Sequence, residues 1–392
     1  MKIILVAGAR PNFMKIAPLI NAIDAYNSAK DEKSPFFEYM LVHTGQHYDD
    51  NMSKTFFDDL GMPKPHIDLG VGSGTHATQT GKIMIRFEEV CLQHGPDLVM
   101  VVGDVNSTIA CTLVAAKLGI PAAHVEAGLR SYDRTMPEEI NRVLTDQLSD
   151  YLFTTCEDAA HNLRKEGIPE ERIFFVGNVM IDTLLSHIEK AKSSDILERL
   201  GLREEGGGVV RYASLTLHRP SNVDDPEILK GILGVLKDLA EEIPIVFPVH
   251  PRTLQRIKSS RLEKMITISD TENMREMGKA GSGVLAIPPL GYLDFLCLMS
   301  NSTIVLTDSG GIQEETTILG IPCLTLRKNT ERPITVKEGT NTVVGNDPEM
   351  IREHVLRILK RRDQKSNMPK YWDGKASERI IKVLVEQFGR PL

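Results

Sequence analysis

Cysteine is scarce and irregular in this 392-residue chain, with five in all: Cys91, Cys111, Cys156, Cys297 and Cys323. An odd, scattered set inside apolar runs excludes a disulfide framework and fits buried thiols in a reducing cytosol. No Cys/His spacing matches a zinc site, so no metal is expected. No apolar run approaches about 18 residues, which excludes a membrane-spanning helix. Positive charge is not in excess: 46 Lys and Arg against 53 Asp and Glu give a net charge of −7. That balance argues against nucleic acid or an anionic membrane as the main partner. Short-period repeats and low-complexity tracts are missing as well. Met1 to Ala7 is apolar and β-branched, without a basic leader or cleavage site, and reads as a first strand rather than a signal peptide. The turn that follows, Gly8-Ala9-Arg10-Pro11, lacks the G-x-G-x-x-G dinucleotide fingerprint.

What is present is an ordinary globular composition, 41% hydrophobic and 25% charged. The length exceeds one ordinary core, and two domains are expected. Strand and helix alternate. Lys2–Ala7, Tyr39–His43, Leu98–Val102, Ala122–Val125 and Tyr151–Thr155 read as strands, with helices over Pro11–Tyr26, Ala110–Leu118 and Pro137–Ser149. Near Val176-Gly177-Asn178 the first domain ends, giving 1–178 and 179–369. The pattern then restarts with strands at Ala213–Thr216, Pro244–Pro248, Leu285–Ile287, Thr303–Leu306 and Cys323–Leu326. Two βαβ halves predict an α/β fold of two facing Rossmann-like domains with parallel sheets, the active site in the cleft between them.

The most informative run is Thr307-Asp308-Ser309-Gly310-Gly311-Ile312-Gln313-Glu314-Glu315. A buried strand, small residues and a helix start make an anion site, because first-turn N–H groups point at the ligand. Gly310 and Gly311 let the backbone come close, and Ser309 adds a hydroxyl or a cap. A carboxylate one turn on, Glu315, suits the two hydroxyls of a ribose. The motif therefore suggests a nucleoside diphosphate with its sugar attached. Arg10 and Lys15 bring two cations to the end of the first strand, although a capping turn and a surface lysine also explain them. Asp104 follows one strand, Glu126 another, and Glu138 opens a helix with Asn141 and Arg142. Each alone reads as an N-cap or a surface ion pair; together on one rim they suggest acid–base work. His218-Arg219 and His250 end strands in the second half, where they suit phosphate contact or proton transfer. Arg327 and Arg332 follow a strand and are in place to reach phosphates, and Tyr292 to frame a base.

These motifs, with Thr44-Gly45-Gln46-His47, His124 to Arg130, Gly177-Asn178 and Arg332-Pro333, run nearly end to end. The chain resembles the non-hydrolysing UDP-N-acetylglucosamine 2-epimerases. The resemblance implies the GT-B architecture, with the C-terminal helix 370–392 joined to the first domain. It implies a cytosolic homodimer that acts on a UDP-sugar, needs no metal or redox cofactor, and supplies sugars for cell-surface polysaccharides. It implies interconversion of UDP-GlcNAc and UDP-ManNAc by elimination of UDP to a bound 2-acetamidoglucal, then re-addition with inversion at C2. Asp104, Glu126, Glu138 and His218 would be catalytic. Arg10, Lys15, Gln46, Arg219, His250, Ser309, Gly310, Gly311, Glu315 and Arg332 would bind substrate. Asp49, Thr78 and Pro220 replace polar or cationic residues of many bacterial members, and they predict weak or absent activation by a second substrate molecule. A UDP-2,3-diacetamido-2,3-dideoxyglucuronate 2-epimerase, a hydrolysing epimerase and a GT-B glycosyltransferase are the alternatives.

Overall fold

The computed structural model describes residues 1–32, 34–45, 57, 59–204, 206–269, 283–360 and 367–388. The chain divides into two compact units, Met1–Ser186 with Pro369–Leu392, and His187–Met368. The division falls inside the helix Val179–Ala191, later than the expected end at 178. The start of that helix is tied to the first unit. Asp182 accepts from Ala376 N, Ser377 N and Ser377 Oγ, and Thr183 Oγ1 donates to the carbonyl of Met14.

The first unit holds a seven-stranded parallel sheet. Its strands are β1 (Lys2–Ala7), β2 (Glu38–His43), β3 (Ile67–Asp68), β4 (Leu98–Val102), β5 (Ala122–Ala127), β6 (Tyr151–Thr154) and β7 (Ile173–Phe175). Their order is β3-β2-β1-β4-β5-β6-β7. Strands covered on both faces are written as continuous apolar runs, and β4 is buried throughout. The helix Arg10–Ala29 has Pro11 in its first turn. Pro18, further in, has no N–H to give the carbonyl of Met14. Thr183 supplies the missing donor. The only tryptophan, Trp372, is fully buried, and its Nε1 donates to the carbonyl of Thr155 at 2.9 Å. The helix Ala376–Phe388 then packs on Arg10–Ala29.

The second unit holds another seven-stranded parallel sheet, in the order β10-β11-β9-β8-β12-β13-β14. Its strands are β8 (Ala213–Thr216), β9 (Ile245–Pro248), β10 (Thr267–Ile268), β11 (Val284–Ile287), β12 (Ile304–Thr307), β13 (Cys323–Thr325) and β14 (Asn341–Val343). Leu215, Leu229, Leu233, Phe247 and Leu306 belong to its core. In the first sheet the winding reverses between β1 and β4; in the second it reverses between β8 and β12. Loops at the carboxyl ends of such strands part and leave a crevice, which is where ligands bind in open α/β sheets. Among the described residues, no helix is long and apolar enough to cross a membrane, and all five cysteines are buried free thiols.

Candidate active site

In the first unit, β1, β4 and β5 are neighbours, so the segments after them share one rim. Arg10 follows β1, Asp104 follows β4, and Glu126 lies near the end of β5. Glu126 was expected just after its strand. It lies inside β5 instead, at a register shift between Val125 and Ala127, with φ of 76°. A bulge re-aims the side chain, and a left-handed non-glycine residue costs about 1–3 kcal/mol. The re-aimed carboxylate forms a buried ion pair with Lys15, so Lys15 is not a surface lysine.

Asp104 is ion-paired with Arg142, and its carbonyl accepts from Asn141 Nδ2 at 2.9 Å. Both partners come from the helix Pro137–Leu148. Glu138, in the first turn of that helix, is half-buried. Its neighbour Glu139 is buried and structural: it accepts from the N–H groups of Ser131 and Tyr132 and pairs with Arg142 at 2.6 Å. Burial raises the cost of charge on Glu139, yet Ser131 and Arg142 hold its carboxyl below the usual range. This helix is inside-out. Its buried residues are Glu139, Asn141, Arg142, Thr145 and Asp146, while Ile140 and Leu144 are exposed. Burial pushes the Arg10 guanidinium down to about 10, with Asp59 opposing the shift. An arriving anion would relieve that cost. Gln46 lies outside the described residues.

In the second unit, β8 and β12 are neighbours, and the segments after them meet. Asp308, fully buried, accepts from the backbone N–H groups of His218 and Arg219 at 2.9 and 2.8 Å. It also faces His218 Nδ1 at 2.9 Å. Burial pushes the Asp308 carboxyl up, but His218 and the two N–H groups outweigh it and hold it low. A carboxylate on Nδ1 fixes the ring and leaves Nε2 outward, the arrangement of an oriented acid–base histidine. His250 differs. Its Nδ1 accepts from Arg252 N at 3.2 Å, so this ring caps the helix Pro251–Ser259.

Ser309 occupies the N-cap position of the helix Gly310–Leu319, but its hydroxyl makes no capping bond. Thr307 Oγ1 accepts from the N–H of Ser309 itself at 2.9 Å, which fixes the turn before the helix and leaves the first-turn N–H groups without a side-chain cap. At Gly310, a Cβ would stand 2.3 Å from Arg332 Nη1 and 2.7 Å from Glu331 Oε1. Gly311 continues the first turn. The expected phosphate cations Arg327 and Arg332 are buried among carboxylates. Arg332 pairs with Glu331 and Glu314 at 2.5 and 2.9 Å, and Arg327 pairs with Glu331 at 2.7 Å. Glu315, one turn into the helix, is buried and accepts from Tyr292 Oη at 3.3 Å. Burial pushes its carboxyl up to about 8, with Glu314 adding to the shift and Tyr292 opposing it. Tyr292, expected to frame a base, is itself buried.

Asp308 stands inside the Thr307–Glu315 run, but nothing local in the sequence shows its contacts with His218 and Arg219. Asp146 carries no local signal either. Among the described residues, no cluster of His, Cys, Asp and Glu could hold a metal ion.

A family model for UDP-N-acetylglucosamine 2-epimerase matches residues 29–385. A UDP-N-acetylglucosamine 2-epimerase of Methanocaldococcus jannaschii is 43% identical over 390 residues, covering 98% of this chain and 99% of that protein. A UDP-2,3-diacetamido-2,3-dideoxy-D-glucuronate 2-epimerase of Pseudomonas aeruginosa is 39% identical over 389 residues, covering 98% of this chain and 100% of that one. The crystal structure of the M. jannaschii UDP-GlcNAc 2-epimerase in complex with UDP-GlcNAc and UDP has a TM-score of 0.85 at 41% identity, over 98% of this chain and 100% of its own. The end-to-end match, set beside these two rims, places the chain in the UDP-N-acetylglucosamine 2-epimerase family.

Proposed function

We propose that this protein is a non-hydrolysing UDP-sugar 2-epimerase that interconverts UDP-GlcNAc and UDP-ManNAc. The C2 hydrogen of such a sugar is not acidic, because no carbonyl adjoins it. Loss of UDP solves this. A base takes the C2 proton, the C–H electrons form a C1–C2 double bond, and the C1–O bond breaks with its electrons leaving on UDP. The reverse addition delivers a proton to the opposite face of C2. The sequence of steps is redox-neutral and calls for no nicotinamide. One observation carries the reading: Asp104 and Glu126 sit at the ends of neighbouring strands, each paired with a buried cation. Two carboxylates fixed side by side suit proton transfer at two faces. Arg10, His218, Ser309 and Gly310 would hold the diphosphate, and Glu315 the ribose.

The test is turnover of UDP-GlcNAc in D₂O, followed by NMR. Deuterium at C2 of the epimeric product is expected. Full retention of the C2 hydrogen would sink the elimination route. Free UDP with free sugar would favour the hydrolysing alternative, and product only with an added acceptor would favour a glycosyltransferase. UDP-2,3-diacetamido-2,3-dideoxyglucuronate is the competing substrate, since the Pseudomonas relative is nearly as similar as the archaeal one. The larger kcat/KM of the two sugars decides between them.

We further propose that the chain works as a homodimer. Ile140 and Leu144 are 46% and 47% exposed on the inside-out helix, and Ile85 and Leu92 are 64% and 70% exposed on the helix His76–His94. Both helices pack on the buried helix Asn106–Lys117. Outward apolar side chains on two such elements suit a second copy. Light scattering should give twice the chain mass for the wild type and a monomer for Leu92→Glu with Leu144→Glu. A wild-type monomer at working concentration would refute this.

A further inference from the structure

His124 and Asp146 are both fully buried, and neither belongs to the set assigned to proton transfer above. His124 Nδ1 lies 2.6 Å from Asp146 Oδ1, and its Nε2 lies 2.8 Å from the carbonyl of Gly103. The carbonyl of Gly103 can only accept, so Nε2 donates to it, and Nδ1 shares the remaining hydrogen bond with Asp146 Oδ1. Gly103 immediately precedes Asp104. The second oxygen of Asp146 accepts from Gly128 N at 3.1 Å, two residues past Glu126, and pairs with Arg130 at 2.7 Å. Arg130 is in turn held by Glu166 through two bonds of 2.8 and 2.6 Å. Burial pushes the Asp146 carboxyl up, but His124 and Arg130 outweigh it and hold it low. Asp146 stands on the same buried helix face as Asn141 and Arg142, which hold Asp104 directly.

We propose that His124 and Asp146 are positioning residues, through which one buried carboxylate holds both the Gly103–Asp104 turn and the exit of the strand that carries Glu126. This rests on the reading of Asp104 and Glu126 as proton-transfer groups. The two carboxylates stand on separate strands with separate loops. Their relative position must survive each reversal of the reaction, and a shared anchor fixes it without touching substrate. The strained backbone at Glu126 needs such an anchor, because a left-handed residue relaxes unless its surroundings hold it.

Two substitutions separate positioning from bulk stabilisation. The amide nitrogen of Asn replaces Nδ1, and that of Gln replaces Nε2. His124→Asn therefore keeps the bond to Asp146 and loses the one to Gly103. His124→Gln does the reverse. Positioning predicts that His124→Asn lowers kcat by about 10²-fold, the cost of misplacing a reacting group by an ångström. His124→Gln should lose less. KM and UDP affinity should stay near wild type in both, and kcat is normalised to the folded fraction by thermal melting. If the network only stabilises the fold, kcat so normalised stays at wild type in both variants and only the melting temperature falls. That outcome, or a larger loss of kcat in His124→Gln than in His124→Asn, would overturn the proposal. Should neither variant fold, histidine-labelled NMR of the wild type decides: a bare Nε2 on the ring of His124 would overturn it as well. Asp104→Asn and Glu126→Gln run alongside. Full turnover in those two would instead defeat the reading of the carboxylates.

Discussion

Asp104→Asn, Glu126→Gln and Glu138→Gln are each expected to lower kcat by about 10²–10⁴-fold, the usual worth of a positioned proton-transfer group. Affinity for UDP should be unchanged, since the groups proposed to hold the ribose belong to the second unit. The amides keep the shape of the acids and cannot carry the proton. Their side effects differ. Asp104→Asn leaves Arg142 with Glu139 as a counter-charge. Glu126→Gln removes the carboxylate from Lys15, and breaking a buried pair from one side costs about 3–5 kcal/mol. Low activity in that variant could therefore reflect unfolding. Lys15→Met with Glu126→Gln removes both charges and should recover the melting temperature without recovering turnover. Recovery of turnover along with stability would remove Glu126 from the chemistry. The deuterium experiment adds a second reading, because a variant lacking only the proton donor for one face should still exchange the C2 hydrogen of one epimer. Loss of UDP affinity together with kcat would mean that the carboxylates act on binding instead.

How much of this was legible in sequence depends on what each feature needs. The central strands were readable because a strand covered on both faces has no choice but continuous apolar side chains. Edge strands carry no such demand: β3 and β10 are two residues long and largely exposed, and they were not foreseen. The helix His76–His94 is also hard to read from sequence. It buries Gln79, Ile83, Phe87, Val90 and Cys91 on one face, but exposed Ile85 and Leu92 blur the period. Rim positions follow from strand ends alone, and Asp104, His218 and Ser309 do lie just past β4, β8 and β12. Their partners do not follow that way. Lys15 and Glu126 are 111 residues apart, and His124 and Asp146 are 22 apart on a helix that hides its polar face. An inside-out helix defeats the rule that apolar residues mark the core. The same inversion leaves Ile140 and Leu144 exposed, which supports the proposed homodimer. Arg332 marks another limit, since a cation near a Gly-rich turn reads as a phosphate ligand. Only the fold shows it lying over Gly310 with two glutamates around it.

UDP binding is expected to release a proton near neutral pH and to tighten as pH rises from about 6 to about 8. The group responsible is Glu315, pushed up to about 8 mainly by burial, with Glu314 adding and Tyr292 opposing. Tyr292 and Glu314 are the titratable groups that act on it. Glu314 is paired with Arg332, and the phenol of Tyr292 is itself pushed well above its usual range by burial and by Glu315. Glu315 is therefore expected to hold a proton at pH 7 until UDP binds. The proposed ribose offers two O–H donors, and a carboxylate accepts both better than a carboxylic acid does. Binding should thus favour the ionised form and expel the proton. The sign for stability follows from the same shift. Between the ordinary carboxyl value of 4.5 and about 8, the folded protein holds a proton that the unfolded chain has lost. Stability from this group is present in full below the lower value and is lost as pH rises through the upper one. The unliganded melting temperature should fall across that window, and saturating UDP should flatten the fall. Glu315→Gln should abolish both pH dependences and weaken UDP by roughly 10–100-fold, the loss of a charged hydrogen bond worth about 1.5–3 kcal/mol. Calorimetry in buffers of different ionisation enthalpy measures the proton directly. Binding enthalpies that do not vary with buffer, in a protein that still loses UDP affinity on Glu315→Gln, would keep the ribose contact and discard the proton. Wild-type affinity in Glu315→Gln would discard both.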